Sequence, residues 1–81
     1  MKTSIDISYY PLSQEFRQPI KNFIASLGQK DNISVRSNSM STQVFGEFDD
    51  VMSAVTECIK NAFELPESTF VLKIINMDRN K

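Results

Sequence analysis

The feature that most limits what this chain can become is a change of hydrophobic period, from two to about 3.6 and back, made twice within 81 residues. Residues 4 to 10 alternate: Ile5, Ile7 and Tyr9 are interleaved with Asp6, Ser8 and Tyr10, the pattern of a strand with two unlike faces. Pro11 lacks a backbone donor and is expected to end that strand. Ser13 then stands as an N-cap, Glu15 suits a first helical turn, and Phe16, Ile20, Phe23, Ile24 and Leu27 fall on one helix face with Gly28 as the stop. Pro19 conflicts with a helix running from Gln14, since an interior proline costs about 3 kcal/mol. Because Phe16 continues the apolar stripe, a distorted first turn is expected rather than a helix that begins near Pro19.

After a polar linker, Ile33 and Val35 alternate with Ser34 and Arg36 as a short second strand. Residues 37 to 41 are turn formers, and residues 42 to 48 read as a third strand. Gly46 within it marks a bulge or a close backbone approach. Asp49 or Asp50 caps a second helix whose inward row is Val51, Val55, Ile59 and Ala62, with Met52, Cys58 and Phe63 beside it. Pro66 prevents its continuation. Residues 69 to 77 form a last strand, and the polar tail from Asp78 to Lys81 is expected to fray.

The order is β-α-β-β-α-β. Right-handed crossovers place both helices on one face of a four-stranded antiparallel sheet, so the expectation is an α+β, ferredoxin-like sandwich forming one domain over residues 1–81. Ile5, Ile7, Tyr9, Val35, Val44, Leu72 and Ile74 should face the helices. The free face should carry Asp6, Ser8, Tyr10, Arg36, Asn38, Gln43, Phe45, Glu47, Val71, Lys73 and Ile75. Tyr10, Phe45, Val71 and Ile75 give it more apolar surface than a solvated sheet needs, which points to self-association.

Composition removes several classes of function. Nine basic and ten acidic side chains nearly cancel, which argues against a binder of nucleic-acid backbones. The third strand, Thr42 to Glu47, contains an acid and no base, unlike the strand with which RNA-recognition domains stack bases. No membrane-spanning run or secretory leader is visible, so a cytoplasmic location is expected. With one cysteine and no histidine the chain can form neither an internal disulfide nor a Cys/His metal site. The common Ser-His and Cys-His nucleophile pairs are excluded, and no glycine-rich phosphate loop follows the first strand. Cys58 lies on the helix stripe as a small core residue, and Asp49-Asp50 is better explained as a cap than as a catalytic pair. No catalytic residue, metal or cofactor is therefore expected.

Three segments, in order, are similar to a known family: Ile7-Ser8-Tyr9-Tyr10-Pro11-Leu12, Asn38-Ser39-Met40-Ser41-Thr42 and Gly46-Glu47-Phe48-Asp49-Asp50-Val51. They resemble the small thiamine-binding proteins, in which a strand ends Ser-x-Tyr-Pro-Leu, a Pro-Met-Gly-Thr turn follows, and Gly-Glu precedes an acidic helix start. Residues 73 to 79 resemble the family's closing strand. Ser39 and Ser41 depart from the pattern, replacing its proline and glycine. The resemblance implies a ferredoxin-like fold, homo-oligomers built as dimers of dimers, and binding of thiamine or its aminopyrimidine part. Such a ligand needs an apolar wall, a carboxylate and a few hydroxyl or amide groups. Tyr10 and Phe45 are the candidate walls, Glu47 the carboxylate, and Ser8, Asn38 and Thr42 the polar contacts. Each has a purely structural alternative: Glu47 pairing with Arg36 or Lys73, a turn role for Asn38 and Thr42, and interface packing for Tyr10. The competing reading of the whole chain is a self-assembling structural or regulatory module without a small ligand.

Overall fold

The central strand β1, Lys2–Pro11, is hydrogen-bonded on both sides, and the rest of the sheet is built outward from it. The computed structural model describes residues 1–12 and 14–80, so the expected cap Ser13 and the last residue Lys81 lie outside the described residues. Further along the chain come α1 (Arg17–Gly28), β2 (Ile33–Ser37), β3 (Thr42–Glu47), α2 (Phe48–Ala62) and β4 (Ser68–Ile75). The four strands are antiparallel in the order β2-β3-β1-β4, which is the expected ferredoxin-like arrangement.

The register turns the sequence alternation into two faces. Ile5 lies opposite Val44 and Ile74, and Ile7 opposite Thr42 and Leu72; these residues share the helix-covered side. Ile5, Ile7 and Val44 are buried there against Phe23 and Leu27 of α1 and Val51, Val55 and Cys58 of α2. The helices lie over the centre of the sheet, so the edge strand β4 leaves Ile74 half exposed although it faces the same way. Tyr9 closes one end of the core, its ring stacked 4.2 Å from Phe70 and edge-on to Phe23. Burial keeps the Cys58 thiol protonated by pushing its pKa up, in keeping with a packing role.

Several boundaries differ from expectation for identifiable reasons. The first helix begins at Arg17, and Phe16 lies outside it, half exposed. Glu15 supplies the cap: its carboxylate accepts the backbone N–H groups of Arg17 and Gln18 at 2.8 and 3.2 Å. Pro19 is then the third helical residue, where no intrahelical partner for its nitrogen is due, and the first turn needs no distortion. In α2 the capping position is Glu47, with no side-chain cap bond, and Asp49 and Asp50 sit in the first turn, where they oppose the helix dipole. Gly46 is paired on both sides, with Thr3 and Ile33, so it marks a close approach and not a bulge.

The C-terminal segment is docked rather than frayed through Asn80. Ser4 Oγ donates to the Met77 carbonyl at 2.7 Å and accepts the Arg79 N–H at 2.9 Å, drawing the segment onto the free face. Arg36 donates to Asn80 Oδ1 and lies over the ring of Phe45. Phe45, expected as an exposed wall, is therefore 6 % exposed, whereas Tyr10 and Val71 on the same face are each 54 % exposed.

Candidate functional site

Where β1 ends, the chain builds a cleft of about 410 Å³ on the helix side of the sheet. One wall is Tyr10-Pro11-Leu12, a second is Phe16 with Ile20, Phe23 and Ile24 of α1, and the third is the β2–β3 hairpin, Asn38 to Thr42. Among the described residues, no side chain lining the cleft carries a charge. The polar groups are hydroxyls and one amide, concentrated on the hairpin, opposite aromatic and aliphatic walls. This is the composition of a site for a flat, largely neutral ring.

The hairpin is held in shape from two directions. Asn38 Oδ1 accepts the backbone N–H groups of Met40 and Ser41 at 2.7 and 3.0 Å, so much of this amide is spent on the turn. From the free face, Asp6 Oδ1 accepts hydrogen bonds from Ser41 Oγ at 2.7 Å and Gln43 Nε2 at 2.8 Å. The amide of Gln43, then the hydroxyl of Ser41, hold the Asp6 carboxyl below the usual carboxylate range; burial opposes this and Lys73 assists.

That anchor gives a pH dependence. The folded-state pKa of Asp6 is depressed, so its contribution is fully present above the ordinary aspartate value of about 3.9 and is lost as the pH falls through the folded value. We expect Asp6→Asn to lose about 1 kcal/mol at pH 7, a figure already discounted for solvent screening. Urea denaturation should show variant and wild type converging as the pH falls below the ordinary aspartate range and through the depressed folded-state value. A gap that persists there would mean that charge on Asp6 is not what holds the hairpin.

The six residues proposed from sequence are divided by this geometry. Tyr10, Asn38 and Thr42 come together in the cleft, Thr42 buried on the helix side. Ser8 lies on the free face opposite Val71 and lines no part of the cleft. Phe45 is paired with Ser4, six residues along β1 from Tyr10, about 20 Å away at strand rise. Glu47 is farther still, opposite Lys2; its carboxylate meets the Met1 ammonium at 2.8 Å and Lys2 at 3.6 Å, and the ammonium lowers its pKa. Neither Arg36 nor Lys73 is the partner that its strand position suggested. The walls missed by sequence reasoning are Leu12, Phe16 and Met40. Their signal was large apolar residues in two connections, Leu12 and Phe16 between β1 and α1 and Met40 between β2 and β3, where polar ones are usual.

The cleft thus joins two of the three segments that carried the family resemblance, and the model of the family described as thiamine-binding protein matches residues 5–80. The chain belongs to the thiamine-binding protein family. No curated protein matches its sequence. Among solved structures, a Streptococcus pneumoniae protein shares 27 % identity at a TM-score of 0.86, over 98 % of this chain and 90 % of its own. A hypothetical protein of Methanocaldococcus jannaschii shares 22 % at 0.81, over 99 % and 84 %. A Thermotoga maritima protein assigned provisionally to thiamine biosynthesis or salvage shares 19 % at 0.80, over 91 % and 82 %. These structures share the fold of this thiamine-binding family member. Among the described residues, no group of three or more potential ligands could hold a metal, and no helix is long and apolar enough to cross a membrane. Ser41, which departs from the family turn, acquires a reason: its hydroxyl is the donor that ties the hairpin to Asp6.

Proposed function

We propose that this single-domain protein binds the aminopyrimidine part of thiamine, or thiamine itself, in the cleft between Tyr10-Pro11-Leu12, α1 and the β2–β3 hairpin. It does so as a homo-oligomer, a dimer of dimers, in the cytoplasm, without a cofactor and without catalysing a reaction. The observation that carries the reading is an uncharged cleft of fitting size whose walls are two segments of the family pattern. Aromatic faces would stack on the ring, and Thr42 with the hairpin's polar groups would meet its adjacent donor and acceptor. Glu47 stands too far away to balance the thiazolium cation. Burying that cation beside no carboxylate is unfavourable, so the free pyrimidine should bind about as well as thiamine.

Association has its own support. Tyr10, Leu12, Phe16 and Met40 surround the mouth of the cleft and are 54 %, 60 %, 49 % and 84 % exposed. So many large apolar side chains in one place call for a cover, and a second copy placed there would close the cleft.

A thermal-shift titration tests the ligand. At 100 times its dissociation constant the ligand adds roughly 2.7 kcal/mol, which raises Tm by several degrees or more in a domain of this size. No shift with either compound at millimolar concentration would leave the self-assembling module as the better account. Sedimentation tests assembly separately; the expected result is a tetramer at micromolar concentration, and a persistent monomer would refute it.

A further inference from the structure

The free face carries a second cleft with the opposite chemistry. It measures about 670 Å³ and is lined by Arg36, Lys73 and Arg79 around the ring of Phe45 and the side chain of Ile75. Among the described residues the one acid lining it is Asp6, whose carboxylate is already engaged by Ser41 and Gln43. The chain as a whole has a formal net charge of −1, so the gathering of Arg36, Lys73 and Arg79 among the described lining residues is a local feature and not a reflection of composition.

The arrangement is built from positions far apart in sequence. Arg36, from the edge strand β2, lies 5.7 Å from the centroid of the Phe45 ring and donates to Asn80. Arg79 is brought over the sheet because its N–H is held by Ser4 Oγ, 75 residues away. Lys73 projects from β4 opposite Asp6, on the same face. Two elements that had no other evident purpose, the docked C-terminal segment and the burial of Phe45, thereby define one cavity with an apolar floor and a cationic rim.

We propose that this cleft is a second ligand site, for a small organic anion bearing a carboxylate or phosphate on a flat or apolar body. The anionic group lies between Lys73 and Arg79, where each nitrogen donates a charge-assisted hydrogen bond, and the body packs on Phe45 and Ile75. The site is separate from the proposed aminopyrimidine cleft, which is on the opposite face and has no cation among its described lining residues.

The test uses phenyl phosphate, benzoate and phenol as probes of one body with different heads, followed by calorimetry or thermal shift at constant ionic strength made up with chloride. Saturable binding by phenyl phosphate or benzoate, with none by phenol, is the expected result; which anion binds distinguishes phosphate esters from carboxylates. Replacing Lys73→Ala and Arg79→Ala together should weaken that binding at least about tenfold, since each removes a charge-assisted contact. Both side chains lie outside the core, and circular dichroism confirms that the variant folds. The aminopyrimidine titration on the same variant should keep its wild-type result, so the two sites succeed or fail independently. The proposal is overturned if neither anion saturates, if phenol binds equally well, or if the double variant retains full affinity.

Discussion

Phe23→Ala is expected to cost about 3–5 kcal/mol and to lower Tm by more than about 10 °C. Phe23 is 4 % exposed, and its ring meets Tyr9 at 5.5 Å and Phe70 at 5.1 Å between centroids. It lines the proposed ligand cleft on one side and the groove between the two helices on the other. Removing the ring would join those two spaces, and neighbours held by Leu27, Val55 and Cys58 have little freedom to collapse into the void. A domain of this length has about 5–15 kcal/mol in total, so the variant should be largely unfolded at modest urea concentrations. It should also lose ligand affinity, because the floor of the cleft goes with the ring. A loss below about 1 kcal/mol would show that the aromatic cluster is loosely packed and that the cleft boundary is misassigned.

Gly46→Val is expected to cost about 2–5 kcal/mol through a different mechanism. Gly46 has φ +157°, and a Cβ there would lie 3.0 Å from the Asn32 carbonyl oxygen and 3.2 Å from Val51 Cγ2. The first of these is backbone, and Asn32 is itself held in the left-handed region at φ 68°, so the loop before β2 has little room to retreat. The clash pushes α2 away from the sheet at its first turn. Because Gly46 lies at the end of β3 remote from the proposed ligand cleft, the surviving folded fraction should keep the wild-type result in the aminopyrimidine titration. Denaturant titration and ligand titration on the same sample separate the two effects, and a variant as stable as wild type would refute the close approach.

The faces of the sheet could be read from the sequence because strand alternation has a fixed period and both helices show a single apolar stripe. Position along a strand could not. Parity correctly puts Tyr10 and Phe45 on one side, but only the ladder, with Ser4 opposite Phe45, shows that they stand at opposite ends. Thr42, one of the expected polar contacts, has the parity of Val44, hence the helix side, which is why it reaches the cleft. The start of α1 was obscured because Phe16 falls in phase with the stripe by coincidence, while the actual cap is a Glu15 carboxylate that also resembles an ordinary first-turn acid. The docking of Met77 and Arg79 on Ser4 joins residues more than 70 positions apart and leaves no local trace. The cationic cleft was hidden for the same reason, since Arg79 belongs to a segment that composition alone assigns to solvent.

Isotope-edited NMR of the backbone amides during titration with the aminopyrimidine tests the placement of the ligand most directly. Perturbed amides should cluster in residues 9 to 12, in the first turns of α1 and in residues 38 to 42, with the amides of Phe45 and Glu47 unmoved. Shifts concentrated around Phe45, Lys73 and Ile75, or no saturable shifts anywhere, would contradict it.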